Sequence, residues 1–564
     1  MAVNADHRAR AIIPRIGWRP DLWSVGGLSI ALIVAVPVLA VAAIALGSSG
    51  DIWPHLSQTI LPHLIRTTLL LMLGVGAGVL LLGVGTGWLV TMCRFPGRRI
   101  FEWALLAPLA MPAYITAYTY VDFLEFAGPV QTALRGLFGW RTPRDYWFPE
   151  IRSLGGAILV MASVLYPYVY LTARTAFLQQ SVCVLEVSRT LGHGSWAVFL
   201  RVALPLARPA IVVGVILALM EAIGDFGTVD YFAVRTLTAG IYEVWLGMGS
   251  AAGAAQIALS LLGFVLLLIY VERLARRDRR FHDTTARVRA LPQFTLSRPR
   301  AWLAFLACLL PLAVGFLIPG GILLKMALGR LAQSWDSAFL GYALNSLGLA
   351  MAAALISVGI GLFLAYGQRL HNTPLQRAVT RLASIGYAVP GAVLALGVLI
   401  PFGAFDNLID GWMRAQFGLS TGLLLSGTVT ALIFAYVVRF LALSFGSVES
   451  GLAQITPSMD MAARSLGNGP GAALFRVHVP LLRGPVLTAV LLVFVDCMKE
   501  LPATLILRPF NFDTLATHVY TYASTGRLED SALAALTIVL VALLPVILLS
   551  RAIASARPGH SAVH

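Results

Sequence analysis

Apolar residues fall in long uninterrupted blocks along this chain, and polar residues gather in the gaps between them. A helix needs about 20 apolar residues to cross roughly 30 Å of hydrocarbon. Twelve blocks suit that purpose: 25–47, 66–92, 101–121, 154–178, 208–226, 254–271, 301–324, 340–367, 379–403, 421–446, 484–501 and 530–550. The fifth and eleventh sit short of the ideal length. The predicted fold class is all-α, a polytopic membrane protein of about twelve transmembrane helices.

Composition agrees. With 58% apolar and 12% charged residues, and a mean hydropathy of +0.81, the 564-residue chain has too little polar surface for a soluble globule. A net charge of +15 would point to nucleic acid in a soluble protein, but here the arginines sit at block ends in an alternating pattern. Arg8, Arg10, Arg15 and Arg19 precede the first block, and Arg94, Arg98 and Arg99 follow the second. Nine arginines lie from Arg273 to Arg300, and Arg369, Arg377 and Arg381 follow the eighth block. The positive-inside rule makes these loops cytoplasmic. The 122–153 loop carries Arg135, Arg141, Arg144 and Arg152 against the rule, and counting helices places it outside with both termini inside. The first block is too long and too far from the start for a cleavable signal peptide, and a bacterial inner membrane is the expected location. Cys93, Cys183, Cys308 and Cys497 show no CxxC spacing and read as single buried thiols.

Residues 186–209, EVSRTLGHGSWAVFLRVALPLARP, are echoed by 461–484, MAARSLGNGPGAALFRVHVPLLRG, without a gap. Arg189, Gly192, Arg201, Pro205 and Arg208 recur 275 residues later as Arg464, Gly467, Arg476, Pro480 and Arg483. At the same offset Glu221 pairs with Asp496 and Asp225 with Glu500, acids at i and i+4 on one helix face. With a three-residue insertion, Pro112 and Pro390 also correspond. The chain is therefore a tandem duplication of a six-helix unit, and an even number of helices per unit makes the repeat parallel. The implied organisation is a tail 1–24, a first unit 25–271, an Arg-rich cytoplasmic linker 272–300, a second unit 301–551 and a tail 552–564.

Each repeated stretch resembles the EAA loop of the permease subunits of ATP-binding-cassette importers. Glu186, Gly192 and Pro205 fill the pattern in the first copy, with Val187 and Ser188 in place of two alanines. The second copy keeps Ala462, Ala463, Gly467 and Pro480 but has Met461 where the acid belongs and Asp460 one place before. MEAIGDFGTVDYF (220–232), GIYEVWLGMG (240–249) and KELPATLILRPFNFDTLATHVY (499–520) resemble, more narrowly, the fused permeases of ferric-iron importers. The resemblance implies that Glu186, Arg189, Gly192, Pro205, Met461, Arg464, Gly467 and Pro480 form two loops that dock on ATPase subunits. The loop chemistry fits: a helix-forming stretch, a glycine and a second stretch with a proline make two short helices joined by a turn at Gly192 or Gly467. The plain alternative is an amphipathic surface helix.

No motor is written in the chain. A Walker loop requires GxxxxGK followed by Ser or Thr, and the only two lysines, Lys325 and Lys499, lie in other contexts. The expected partners are two separate ATPase subunits carrying ATP and magnesium, an external (periplasmic) substrate-binding protein and membrane lipid, with no nucleic acid and no cofactor or catalytic residue in this chain.

Ionisable groups inside a membrane are costly, so Glu221, Asp225, Asp496, Lys499 and Glu500 are candidates for the pathway or gate. If the halves bring them together, four acids against one lysine make a negative throat suited to a cation; alternatively, Lys499 pairs with Asp496 or Glu500 and braces the interface. Tyr231, Tyr242 and Tyr520 are weak candidate ligands for ferric iron, although interfacial belts favour tyrosine anyway. Glycine clusters at 74–78 and 83–87 serve helix packing. His193 and His478, flanking the two loops, are expected to be solvated or to cap helices.

The expected function is an ATP-driven, binding-protein-dependent importer permease, with ferric iron as the leading cargo and thiamine, phosphonate, polyamine or sulfate as alternatives. A proton-coupled carrier shares twelve helices and a basic central loop, but has no duplicated EAA-like loops.

Overall fold

The structure is a computed structural model that describes residues 21–47, 52–178, 180, 186–188, 190–192, 194–277, 293–371 and 373–555. Among them, ten helices are long and apolar enough to span a bilayer, or twelve when each of two sharply bent helix pairs is one span. In chain order these are α1 (Leu22–Ala45), α2 (Trp53–Met92), α3 (Arg98–Ala110 with Ala113–Phe138, bent by 88°), α4 (Leu154–Leu178), α5 (Trp196–Gly224) and α6 (Ala251–Leu274). The second half supplies α7 (Arg298–Gly329), α8 (Ser337–Leu370), α9 (Gly391–Phe417), α10 (Val429–Ala453), α11 (Pro470–Leu481 with Arg483–Met498, bent by 79°) and α12 (Leu528–Leu548). The only strands described are Cys93–Arg94 and Phe294–Thr295, which pair in parallel and tie the end of the linker to the turn after α2.

Several boundaries differ from the sequence expectation, and proline accounts for two of them. The third block is not straight: Pro112 lacks an N–H to continue the ladder and starts Ala113–Leu124 afresh. Its counterpart Pro390 starts α9 at Gly391, so residues 374–383 form a separate amphipathic helix that begins at Pro374 and is capped by Thr373. α5 starts well before residue 208, because the repeated stretch runs directly into the span through a π-helical turn at Phe199–Ala203. In both halves that turn precedes the repeated proline, Pro205 or Pro480, whose missing N–H shifts the hydrogen-bond register by one residue.

The halves interlock. α1 packs on α9 of the second half, while α7 packs on α4 and on the turn at Ala107–Ala110 of the first. These crossings bring backbone against backbone: a Cβ at Gly397 would lie 2.2 Å from the Pro37 carbonyl oxygen, and one at Gly315 would lie 2.1 Å from that of Ser163. Within the first half, the glycine-rich face of α2 lies along α4, where a Cβ at Gly78 would meet that of Ala162 at 2.6 Å. Cys93, Cys308 and Cys497 are buried free thiols, and Cys183 lies outside the described residues.

Candidate translocation cavity and coupling loops

α5 and α11 end in the same way. Each stops beside an acid, breaks, and resumes as a short helix, Gly227–Tyr231 in the first half and Pro502–Leu507 in the second. The acid holds the break. Asp225 accepts from the Thr228 N–H at 2.7 Å and from the Thr228 hydroxyl at 2.9 Å, satisfying a donor that the new helix leaves open. Glu500 does the same with the Ala503 and Thr504 N–H groups, at 3.0 and 3.1 Å, and with the Thr504 hydroxyl at 2.7 Å.

Between these two breaks lies a cavity of about 100 Å³ lined by residues of both halves. All five candidates, Glu221, Asp225, Asp496, Lys499 and Glu500, stand on its wall. The Lys499 ammonium contacts Asp496 at 2.8 Å. Arg439 of α10 also lines the cavity, with its guanidinium 3.1 Å from Glu500. Sequence reasoning passed over Arg439, although a charge in the middle of an apolar block is itself the signal that identified the acids. Four carboxylates thus face two cations, and the lining retains a formal surplus of negative charge. Glu221 accepts from the Tyr387 hydroxyl at 3.2 Å. Among the described residues, no lysine or arginine lies within ion-pair distance of Glu221 or Asp225.

The three tyrosine candidates do not stand on this wall. Tyr242 stacks on Phe226 with ring centroids 3.7 Å apart and donates to the Pro502 carbonyl at 2.5 Å. Tyr520 donates to Asp230 at 2.9 Å. The Tyr231 ring packs against Tyr118 and under the Arg152 guanidinium. Among the described residues, no three His, Cys, Asp or Glu side chains converge as metal ligands would.

The repeated loops form paired short helices around a left-handed glycine. Gly467 follows the helix Pro457–Ser465 at φ +78°, and Gly192 follows its own helical turn at φ +83°. The residue before each glycine is a large apolar side chain left in the open: Leu191 is 71% exposed and Leu466 80%. Glu186 and Arg464 are exposed as well, Pro205 is half-buried and Pro480 exposed, while Arg189 and His193 lie outside the described residues.

The acid displaced in the second copy has another task. Asp460 points inward, 2.8 Å from the Arg369 guanidinium and 2.6 Å from His478 Nε2, and leaves Met461 exposed. Arg369 also donates to the carbonyls of Leu452 and Ile455, which fixes the chain entering the loop. His478 is therefore not solvated as expected but wholly buried, because the π-helical turn Leu474–His478 rotates it against Asp460 and the Tyr366 ring. At the 275-residue offset the first copy has Ala203 in place of His478, and beside it Trp88 packs on Phe177 and Phe199.

Residues 17–280 and 357–557 each match the family of binding-protein-dependent transport system inner membrane components. Among curated proteins, the Fe(3+)-transport system permease protein FbpB 2 of Haemophilus influenzae is 25% identical over 94% of this chain and 99% of its own length. The molybdenum transport system permease protein ModB of Escherichia coli is 29% identical over 35% of this chain and 86% of its own length. The sulfate transport system permease protein CysW of the same organism is 30% identical over 39% and 74%. Two matches in tandem, ten to twelve spans and a duplicated loop leave no place for the carrier alternative: the chain belongs to the family of inner-membrane permease components of binding-protein-dependent transport systems, as a multi-pass membrane protein with two family units in one polypeptide.

Proposed function

We propose that this chain forms both halves of the translocation pathway of an ATP-driven importer whose cargo is ferric iron. The observation that carries the cargo is the surplus of carboxylates over cations on the cavity wall. Such a lining attracts a compact cation and repels molybdate, sulfate and phosphonate by the same Coulomb term. The relative named for Fe(3+) aligns over nearly the whole chain, whereas those named for molybdenum and sulfate align over little more than a third.

Drive comes from outside the chain. Two ATPase subunits holding ATP and magnesium dock on the two repeated loops, with Leu191 and Leu466 as apolar contacts beside the glycine turns and Glu186, Arg189 and Arg464 as polar ones. A substrate-binding protein delivers iron to the outer face. Both termini and the Arg-rich linker are cytoplasmic.

The test is uptake of radiolabelled ferric iron by proteoliposomes holding this permease with its ATPase and binding protein. Uptake that stops when the ATPase is disabled supports the reading. ATP-dependent transport of thiamine or a polyamine without iron would replace the cargo, and uptake indifferent to ATP would overturn the importer mechanism.

A further inference from the structure

The two walls of the cavity are built from equivalent positions that hold different residues. At the 275-residue offset, Arg439 occupies the place of Val164 and Lys499 that of Gly224, and all four line the cavity. The second half therefore supplies a cation beside each of its acids, and the first half supplies none. A further substitution fits this difference. Gly391 follows Pro390 as Ala113 follows Pro112, and a Cβ at Gly391 would lie 2.3 Å from Arg439 Nη1 and 2.7 Å from Glu500 Oε1. The half that carries the buried ion pair has no methyl group where one would collide with that pair.

Asp496 and Glu500 thus have internal counter-ions, Lys499 at 2.8 Å and Arg439 at 3.1 Å. Glu221 and Asp225 have only neutral donors, the Tyr387 hydroxyl and Thr228. A third oxygen is on offer. Tyr114 lines the same cavity, is 5% exposed, and its hydroxyl has no hydrogen-bond partner among the described residues. A buried hydroxyl left unpaired is unfavourable unless something else engages it.

We propose that Arg439 and Lys499 set the specificity of the passage by occupying the second-half carboxylates, so that a hard cation in transit is received on one wall, by Glu221 and Asp225 with the Tyr114 hydroxyl. This rests on the cation-importer reading above. Carboxylate and phenol oxygens favour small, highly charged cations over soft ones. Two carboxylates hold such an ion loosely, as a passage requires, since binding must permit release. With all four acids unpaired the cavity would retain its cargo. The two resident cations prevent that and add repulsion against anions.

Terbium(III), a hard trivalent ion whose emission is sensitised by nearby tyrosine, tests the assignment on the full-length permease in lipid nanodiscs. The wild-type protein is expected to bind it with tyrosine-sensitised emission. Glu221→Gln with Asp225→Asn is expected to weaken binding about tenfold or more, and Tyr114→Phe several-fold less than that. Removing a whole ion pair by Asp496→Asn with Lys499→Gly, which leaves the formal charge of the cavity unchanged, is expected to weaken binding several-fold less than the first-half pair of substitutions. Lys499→Gly alone, which installs the first-half residue and frees Asp496, is expected to tighten binding about tenfold, an outcome that a misfolded variant cannot mimic. Equal losses from the first- and second-half double variants, no tightening by Lys499→Gly, or no sensitised emission from the wild-type protein would overturn the proposal. The terbium pattern with no iron uptake in the transport assay would instead refute the cargo and leave the one-sided donor set standing.

Discussion

The two halves of this permease keep the same backbone devices and load them with different chemistry. Both end their fifth helix on an acid that caps a short second helix, and both turn their repeated loop on a left-handed glycine. At the positions that carry Arg439, Lys499 and His478 in the second half, the first half has neutral residues. Arg439 and Lys499 stand where the first half has Val164 and Gly224, and His478, which joins Asp460 and Arg369 behind the second loop, stands where the first half has Ala203. Duplication fixed the geometry, because helix breaks and glycine turns depend on backbone hydrogen bonding that either half must satisfy. Charge was free to diverge, since a central cavity shared by both halves needs a given total of charge and not an equal share from each.

The comparison breaks most severely at Arg439. Glu500 is 5% exposed, and Arg439→Val would leave it buried without its counter-ion. Losing one member of a buried pair costs about 3–5 kcal/mol, so thermal unfolding in detergent should show a large fall in midpoint. Adding Glu500→Gln should recover a good part of it. The mirror change in the first half, Val164→Ala, should cost about 1–2 kcal/mol as a simple loss of apolar packing.

Gly391 sharpens the same contrast at a smaller scale. Gly391→Ala pushes a methyl into the Arg439–Glu500 pair and should cost about 1–3 kcal/mol, the usual range for overpacking. Ala113→Gly, at the matching position of the first half, should cost less than about 1 kcal/mol, through backbone entropy alone. If both variants melt together, Gly391 is not shaped by the ion pair.

The loop glycines test what the halves share. Gly192 and Gly467 both hold φ near +80° with nothing within 4 Å of an added Cβ, so a side chain meets strain from the backbone and not from neighbours. Gly192→Val and Gly467→Val should each cost about 1–2 kcal/mol locally. The expected result is a permease that still inserts and purifies but has lost most ATP-driven uptake and most affinity for the ATPase. Normal uptake by both variants would remove these loops from the coupling role.

The sequence makes the repeat, the span count and the glycine turns legible, because each rests on a local rule: block length, offset and the backbone demands of a turn. It also brings five charged residues under suspicion that the fold places around one cavity. The local pairing of Lys499 with Asp496 was anticipated; what escaped was partnership at a distance. Arg439 lies in an apolar block 61 positions before Glu500, and nothing in either segment announces that they meet. His478 looked like a loop histidine because the π-helical turn that rotates it inward is a register shift invisible to a helical-wheel reading. The late start of α9 was missed because residues 374–390 are apolar enough on one face to extend the block backwards, although Pro390 marked the true boundary.

The smallest expected effect concerns the acid that the second loop lacks. Glu186 is exposed in the first copy, whereas the second presents Met461 and turns Asp460 inward to Arg369 and His478. The neighbouring acid therefore cannot stand in for the missing one without abandoning that cluster. If the ATPase groove reads a carboxylate at this position, Met461→Glu should strengthen the second contact by about 0.2–1 kcal/mol, the worth of an exposed charge interaction, and raise permease–ATPase affinity by up to about fivefold at low salt. Glu186→Met should lower it by a similar factor. Both shifts should fade as ionic strength rises, because exposed charges are screened within about 10 Å at 0.1 M salt. A gain at Met461→Glu without a matching loss at Glu186→Met would mean that the docked subunits do not read the two loops alike, and that the asymmetry of the cavity continues to the cytoplasmic face. Matched and opposite shifts would mean that the docked subunits read the two loops alike, whatever stands behind each.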